Sequence, residues 1–250
     1  MLTTSNIHIW HASLEVPVST FNCLSKALSA DERQRAERLY FERDRRHFII
    51  CRGILRWILG SYLSVEPGEL QFCYGENGKP AVRGQPCYET IRFNLSHSNG
   101  EALFAFTRGS EIGVDIEKTR DIPDMDQIAM RFFSLKEYEL YSSLSKRKKQ
   151  KAFFTCWTRK EAFIKATGDG LARPLNSFTV PVGADASAIP LSISGDRINS
   201  VQWKLHAFMP KPGYVAALVI EGDGKQIIFR EWNDYKKWDN VGSKNITLLS

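Results

Sequence analysis

The spacing of apolar residues predicts several helices along the chain. In the segment 44–63 apolar residues recur at 48, 49, 54, 55, 58, 59 and 62, which is the spacing of one long helix. A second long helix is predicted from about residue 150 to 166, ended by Gly168. Between them, "DQIAMRFF" (126–133) reads as a short helix, and the capping box "SLKE" starts another at Ser134.

Alternating and β-branched runs predict short strands in the first half of the chain. The segment 70–82, "LQFCYGENGKPAV", places two short β-like runs on either side of Asn-Gly, which predicts a hairpin. "IRFNLSHS" (91–98) alternates and is expected to break at Ser96 and His97, and "EALFAFTR" (101–108) is expected to form the next strand. "EIGVDIEK" (111–118) alternates as well, so it predicts a strand with two different faces.

The last third of the chain combines a predicted loop with three more predicted strands. Residues 181–200 are rich in Gly, Ser, Ala and Pro, and we expect a loop there. "VQWKLHAF" (201–208), "GYVAALVI" (213–220) and "QIIFREW" (226–232) predict an antiparallel meander, followed by a polar, frayed end.

Composition places the chain among ordinary globular proteins with an anionic partner. Its 250 residues are 43% hydrophobic and 12% aromatic, enough for one domain or two small ones. The formal net charge of +6 predicts attraction to an anion, and the excess is concentrated in 33–56 and in "KRKKQK" (146–151). For the second cluster a solvated basic face at a helix boundary is the preferred interpretation. Five cysteines without metal-ligand spacing indicate reduced thiols, and no apolar run reaches the ~20 residues of a membrane span. We expect a cytoplasmic protein without a signal peptide.

Three arginines share one side of the first long helix. At ~100° per residue, Arg45, Arg52 and Arg56 fall on a narrow stripe, and most of the remaining circumference is apolar. Two interpretations follow with equal weight. The stripe meets an anionic ligand, or its arginines pair with acidic residues across the core.

Two carboxylates share one face of the strand predicted over 111–118. Side chains two residues apart in a strand point the same way, ~6.6 Å apart, so Asp115 and Glu117 can reach one cation. An oxygen-only pair suits Mg²⁺ or Mn²⁺ better than zinc. The alternative is a solvated strand end.

A third carboxylate lies on the packed side of the second long helix. Glu161 shares a helix face with Phe154, Trp157 and Lys165. Lys165, four residues later, is a suitable salt-bridge partner, and that pair alone would explain the acid. Three acids on two elements, with basic residues upstream, favour instead a metal site for phosphoryl or pyrophosphate chemistry. The chain has no GxxxxGK[ST] or GxGxxG motif, which excludes the common kinase and dehydrogenase folds.

Five short blocks resemble, in order and spacing, those of the 4'-phosphopantetheinyl transferases, specifically the larger, monomeric Sfp-like type. The blocks are "GKP" (78–80), "FNLSHS" (93–98), "GVDIE" (113–117), "FFSLKEY" (132–138) and "WTRKEAFIKATGDGL" (157–171). The resemblance spans roughly residues 35 to 180, and the paired GVDIE and WxxKEAxxK blocks are its specific part.

The resemblance implies an activity and a fold. Such enzymes, of the holo-acyl-carrier-protein synthase type, move the phosphopantetheine arm of coenzyme A onto a serine of an apo acyl or peptidyl carrier protein and release adenosine 3',5'-bisphosphate. The implied fold is α+β, a pseudo-twofold pair of similar halves with small antiparallel sheets and the active site between them. Residues 1–110 would form the half that binds coenzyme A, and residues 111–250 the half with the metal and catalytic residues.

The resemblance also implies roles for individual residues. Glu161 and Lys165 would be catalytic. The implied ligands of Mg²⁺, for which Mn²⁺ may substitute, are Asp115, Glu117 and Glu161, whereas Glu137 is explained by its capping box. The implied contacts of coenzyme A are Arg45, Arg52, Lys79, Pro80, Ser96, His97 and Lys165. The implied partners are acidic apo carrier proteins, met by a monomer that binds neither nucleic acid nor membrane.

Other classes of function remain open at this stage. A metal-dependent nuclease would also use clustered acids, and a nucleic-acid-binding protein would use the basic clusters but leaves the acids unexplained. A non-catalytic module that binds coenzyme A or a carrier would not need Glu161 beside Lys165. The apolar residues Met125, Ile128 and Met130 are either a carrier-docking surface near Arg120 and Arg131 or part of the core.

Overall fold

The computed structural model of the chain describes residues 1–84, 90–183, 189–191 and 202–232. Within these ranges the fold is mixed α+β with small sheets, as predicted. The α-helices are α1 (Val18–Lys26), α2 (Ala30–Glu37), α3 (Glu42–Leu63), α4 (Met125–Phe132), α5 (Leu135–Ser142) and α6 (Lys146–Thr167). The strands are β1 (Asn6–Ser13), β2 (Phe72–Tyr74), β3 (Pro80–Val82), β4 (Ile91–Ser98), β5 (Glu101–Arg108), β6 (Ile112–Lys118), β7 (Ile189–Leu191), β8 (Trp203–Phe208), β9 (Tyr214–Glu221) and β10 (Gln226–Glu231).

Two four-stranded sheets and one hairpin contain all of these strands. The first sheet has the order β10-β1-β5-β4, the second has the order β6-β9-β8-β7, and β2 pairs with β3. The predicted meander is therefore wrong for "QIIFREW": β8 and β9 are antiparallel neighbours, but β10 leaves them and pairs in parallel with β1. The reason is that β9 is already paired on both sides, by β6 and β8, so it offers no free edge.

The core explains why both long helices form. One apolar cluster lies between α3 and the first sheet, and another lies between α6 and the second sheet. A third cluster joins residues from both sheets, including Ile7, Ile9, Val114 and Leu218. The layers therefore follow the order α3, first sheet, second sheet, α6. Each sheet buries both faces, and the alternation of its strands sends side chains to one layer or the other.

Helix ends follow the predicted capping signals. Gly168 ends α6 with a φ of 74°, a left-handed conformation that glycine adopts without strain. The predicted capping box is present at Ser134, where the Glu137 carboxylate accepts a hydrogen bond from the Ser134 backbone. Glu137 also pairs with Lys160 at 2.7 Å, with both side chains fully buried. This pairing agrees with the exclusion of Glu137 from the predicted metal ligands.

Three local expectations change in detail. The strand β4 does not break at Ser96 and His97 but continues to Ser98, because it pairs with β5 along its whole length. The hairpin loop has five residues rather than two, since Tyr74 lies opposite Pro80. The basic run 146–151 forms the first turns of α6, which begins four residues earlier than predicted.

The boundary near residue 110 stays a prediction, with one complication. The strand β10 belongs to the predicted second half but lies in the sheet of the first half, so the two parts share a sheet. Part of the predicted 181–200 loop forms β7, while residues 184–188 and 192–200 lie outside the described residues, as does the predicted frayed end after residue 232. In the described ranges, every helix is too short or too polar to span a membrane.

Candidate active site

The candidate site lies where the edge strands of the two sheets, β4 and β6, run side by side. Successive residues of a strand face opposite sides, so Asn94, Ser96 and Ser98 share one face of β4. Asn94 Oδ1 accepts a hydrogen bond of 2.9 Å from the backbone N–H of Val114. Ser96 and Ser98 each donate to a carboxylate of β6. Side chains of β4 therefore fix the position of β6.

Asp115 is the most buried carboxylate of the site and has two partners on one oxygen. Its Oδ1 accepts hydrogen bonds from Ser96 Oγ at 2.7 Å and from Lys165 Nζ at 2.6 Å. Lys165 Nζ also lies 2.9 Å from Ser96 Oγ. The other oxygen, Oδ2, is buried and has no hydrogen-bond partner among the described residues. Asp115 thus offers a buried acceptor oxygen that no described part of the chain satisfies.

Close packing of α6 on β6 brings Lys165 to Asp115. Gly113 lies directly under the helix, and a Cβ atom added to it would overlap the Ala162 carbonyl oxygen and the Ala166 backbone nitrogen, and would lie 2.9 Å from the Ala166 Cα. Only glycine leaves room for this approach. The helix face above β6 carries Glu161 and Lys165 one turn apart.

Glu161 and Glu117 are half-buried, and the negative charge of Asp115 acts on both carboxyl groups. Burial raises the pKa of Glu161, the Asp115 charge raises it further, and Lys165 opposes the rise. Burial also raises the pKa of Glu117, which the hydrogen bond from Ser98 opposes. The suggested salt bridge between Glu161 and Lys165 does not form, because Lys165 pairs with Asp115 instead. Among the described residues Glu161 has no ion-pair partner.

The three acids fit a hard divalent cation by chemistry, although they do not converge on one point. No group of three or more His, Cys, Asp or Glu side chains in the described ranges is close enough to hold a metal ion as it stands. However, all the ligand atoms that the three acids offer are oxygens, and the buried Asp115 Oδ2 is not used by any described residue. Burial and the Asp115 charge both raise the pKa of each glutamate. A cation here would relieve this repulsion, so the residues fit Mg²⁺.

The β2–β3 hairpin forms one wall of a cavity beside this site. The cavity has a volume of about 250 Å³, and its lining includes Lys79, Pro80, Arg92 and Glu111. Lys79 Nζ is already bound within the protein: it lies 2.8 Å from Glu111 Oε2 and donates to two backbone carbonyls. Burial lowers the pKa of Lys79, and the charge of Glu111 opposes this effect.

The arginine stripe of α3 divides into two kinds of residue. Arg56 forms a buried ion pair with Glu32, with 2.7 Å between Nε and Oε2, so the core ion-pair interpretation is correct for this residue. Arg45 and Arg52 have no ion-pair partner among the described residues. Arg45 donates to the Leu39 carbonyl, and the Nη1 atom of the buried Arg52 has no hydrogen-bond partner in the part of the chain that the structure describes.

His97 is the remaining predicted contact, and it points away from the Asp115 side of its strand. It is exposed, and its ring centroid lies 6.3 Å from that of His47 on α3. The structure therefore brings Ser96, Asp115 and Lys165 into direct contact, with Glu117 and Glu161 nearby. His97 lies on the side of α3, and Lys79 and Pro80 lie on the hairpin.

Sequence reasoning missed three residues that shape the site. Asn94 and Ser98 bind β6, and the alternation of "FNLSHS" is the signal that places both on the face of Ser96. Glu111 binds Lys79, and it also lies 3.2 Å from Arg92. Its position just before β6 gives no signal, because both partners come from other parts of the chain.

Two family profiles match the chain and together cover most of it. The profile of the 4'-phosphopantetheinyl transferase superfamily matches residues 111–219. A second profile, described as 4'-phosphopantetheinyl transferase, N-terminal, matches residues 10–106. The residues of the candidate site fall in both matched segments.

Individual relatives give the same result. The 4'-phosphopantetheinyl transferase HetI of Nostoc sp. is 40% identical over 225 residues, which are 90% of this chain and 92% of the relative. The 4'-phosphopantetheinyl transferase Sfp of Bacillus subtilis is 33% identical over 158 residues, 63% of this chain and 68% of the relative. Among solved structures, a Thermotoga maritima holo-acyl-carrier-protein synthase is 19% identical, with a TM-score of 0.29 over 46% of this chain and 63% of that one. A similarity this low adds nothing to the assignment.

Proposed function

This chain belongs to the 4'-phosphopantetheinyl transferase family, and we propose that its own reaction takes place at the junction of β4, β6 and α6. The enzyme transfers phosphopantetheine from coenzyme A onto carrier proteins. The observation that carries the proposed location is the contact of Lys165 with both Asp115 and Ser96. This contact brings an ammonium group, a carboxylate and a hydroxyl together at one point of the fold.

The acids of the site would hold the divalent cation. We assign Mg²⁺, or Mn²⁺ in its place, to Asp115, Glu117 and Glu161, and the bound ion would neutralise pyrophosphate oxygens of coenzyme A. Asp115 Oδ2 is the first donor, because it is buried and no residue in the described ranges bonds to it. Seating the ion requires Glu117 and Glu161 to turn toward Asp115. Both are half-buried, and burial together with the Asp115 charge raises the pKa of each carboxyl group.

Two side chains would act on the reacting groups. The serine oxygen of the carrier attacks the phosphorus that bears the phosphopantetheine arm, and the bond from that phosphorus to the leaving adenosine bisphosphate breaks. Glu161, which has no ion-pair partner among the described residues, accepts the serine proton. Lys165 offsets the negative charge on the leaving phosphate oxygen. Ser96 orients Lys165, since its oxygen lies 2.9 Å from Nζ.

The remaining contacts are assigned to coenzyme A. Arg45 and Arg52 on α3 have no ion-pair partner among the described residues, and His97 lies on the side of the strand that faces this helix. The cavity beside the hairpin, which Pro80 lines, is assigned to the nucleotide end of coenzyme A. An acidic carrier, a monomeric enzyme and a cytoplasmic location stay predictions, supported by the net charge of +6 and the reduced thiols expected from the sequence.

Replacing Arg52 with methionine is expected to raise the KM for coenzyme A about tenfold, and to raise it much less for 3'-dephospho-coenzyme A. The Arg52 guanidinium lies over the rings of Phe48 and Phe72, and methionine fills this space with an apolar side chain but removes the charge that would meet the 3'-phosphate. Arg45→Met should act in the same direction. Steady-state kinetics with both substrates measure the difference, and equal changes for the two would show that the arginines do not contact the 3'-phosphate.

The matched control is Arg56→Met on the same stripe. It breaks a buried ion pair and leaves the Glu32 carboxylate without its cation, so it should lower the free energy of unfolding by about 3–5 kcal/mol. It should not discriminate between the two forms of coenzyme A.

The function itself is tested by the intact mass of a carrier protein. The purified enzyme is mixed with coenzyme A, Mg²⁺ and each of several unrelated apo carriers. We expect a gain equal to one phosphopantetheine arm, and no gain on a carrier whose acceptor serine is replaced by alanine, which separates transfer from thiol exchange. If every carrier keeps its mass while the protein cleaves or tightly binds DNA or RNA, the nuclease or nucleic-acid interpretation replaces this one. Binding of coenzyme A without transfer would favour the non-catalytic module.

A further inference from the structure

The tip of the β2–β3 hairpin binds the carboxyl end of α6. The Asn77 side-chain amide donates a hydrogen bond of 2.9 Å to the Gly168 carbonyl, and Lys79 Nζ donates one of 2.8 Å to the Ala166 carbonyl. The last carbonyls of a helix have no partner within the helix, and a cation is favoured near them. The hairpin therefore caps the end of α6, although the residues in contact are 87 and 91 positions apart in the sequence.

The same ammonium group also binds the start of β6. Lys79 Nζ lies 2.8 Å from Glu111 Oε2 and 3.3 Å from the Ile112 carbonyl oxygen. Ile112 precedes Gly113, where α6 rests on β6, and Ala166 follows Lys165. One side chain thus links the two elements that supply the acids and the lysine of the candidate site.

The Lys79 ammonium group has as many N–H donors as there are protein oxygens bound to it. A lysine ammonium group has three N–H donors, and three protein oxygens surround this one. A phosphate oxygen of coenzyme A would have to displace one of them. Arg92 lines the same cavity and is 40% exposed against 20% for Lys79, so it is the more available cation there.

We propose that Lys79, with Asn77, is a positioning residue that holds the end of α6 against β6 so that Lys165 reaches Asp115, and that its side chain is not a ligand of coenzyme A. The inference rests on the proposed function, because it concerns the geometry of that same site. It replaces the phosphate contact that the sequence resemblance implied for Lys79. The effect on the reaction passes through Lys165, which lies one residue before Ala166.

The test compares Lys79→Met with Arg92→Met in steady-state transfer to a carrier protein. Both changes remove one positive charge from the same cavity, but only Lys79 touches α6. We expect Lys79→Met to lower kcat by about tenfold or more with little change in the KM for coenzyme A. Arg92→Met removes the more available cation of the cavity, so it should raise the KM for coenzyme A while it changes kcat by less than about twofold. Asn77→Ala, which removes no charge, should lower kcat in the same direction as Lys79→Met and by a smaller factor.

Amide hydrogen exchange gives a second readout that needs no turnover. In Lys79→Met and Asn77→Ala the last turn of α6 should exchange faster, while the melting temperature stays near that of the wild type and Arg92→Met exchanges normally. An unchanged kcat with a tenfold higher KM for coenzyme A would overturn the proposal and make Lys79 a coenzyme A ligand. Unchanged exchange in the last turn of α6 would also overturn it. If the wild type itself transfers no arm, the proposed function fails, whereas the exchange result still tests the contact of the hairpin with α6.

Discussion

Replacing Glu161 with glutamine is expected to lower kcat for transfer by about a hundredfold or more, while the variant melts at the same temperature as the wild type or higher. A loss of this size is typical when one electrostatic group of an active site is removed. The stability should not fall, because Glu161 has no ion-pair partner among the described residues and is repelled by the Asp115 charge. Glutamine keeps the shape of the side chain, so the change isolates the charge.

The control for Glu161→Gln is Glu139→Gln on α5. Glu139 is exposed, so its replacement by glutamine should leave both kcat and the melting temperature unchanged. Transfer rates from carrier mass and thermal unfolding monitored by circular dichroism provide the two measurements. If Glu161→Gln unfolds at a much lower temperature, the carboxylate is a structural group, and the catalytic assignment fails.

Replacing Gly113 with alanine is expected to cause the second large effect, a loss of about a hundredfold in kcat together with reduced stability. The added methyl group has no room below the backbone of Ala162 and Ala166, so α6 must move away from β6. Overpacking of this kind costs about 1–3 kcal/mol in the free energy of unfolding. Displacement of α6 by about 1 Å also separates Lys165 from Asp115, and such misplacement of a catalytic group can reduce the rate about a hundredfold.

Gly68→Ala is the matched control for Gly113→Ala. It adds the same methyl group at a glycine where nothing lies within 4 Å, so it should leave folding and transfer unchanged. Urea denaturation and kcat would be measured for both variants. Wild-type kcat in Gly113→Ala would show that the close approach of α6 to β6 is not needed for transfer.

Local sequence signals predict α3, α4, α5, α6 and most of the described strands, whereas α1, α2 and β1 were not predicted and β7 lies in a predicted loop. The period of apolar residues, Gly168 and the capping box at Ser134 depend on neighbours within a few positions, and each is present as predicted. The position of β10 depends on which sheet has a free edge, and its own alternation carries no such information. The meander prediction failed for that reason.

The candidate site shows the same division between local and distant information. The strand period correctly places Asp115 and Glu117 on one face of β6. The helix period places Glu161 beside Lys165, but it does not reveal that Lys165 has a more buried carboxylate to neutralise. Asp115 is almost fully buried and Glu161 is half-buried, so the larger desolvation cost draws the lysine to Asp115. The hairpin contact of Lys79 with α6 likewise joins residues that are far apart in the sequence.

The most direct test of the account is the balance of the two products in one reaction. An apo carrier, coenzyme A, Mg²⁺ and the enzyme are mixed, and holo carrier and adenosine 3',5'-bisphosphate are quantified together over time. The account predicts that the two form in equal amounts, that omission of coenzyme A abolishes both, and that excess chelator stops both while the enzyme remains folded. Holo carrier without the bisphosphate, or an undiminished rate in excess chelator, would contradict transfer at a metal site formed by Asp115, Glu117 and Glu161.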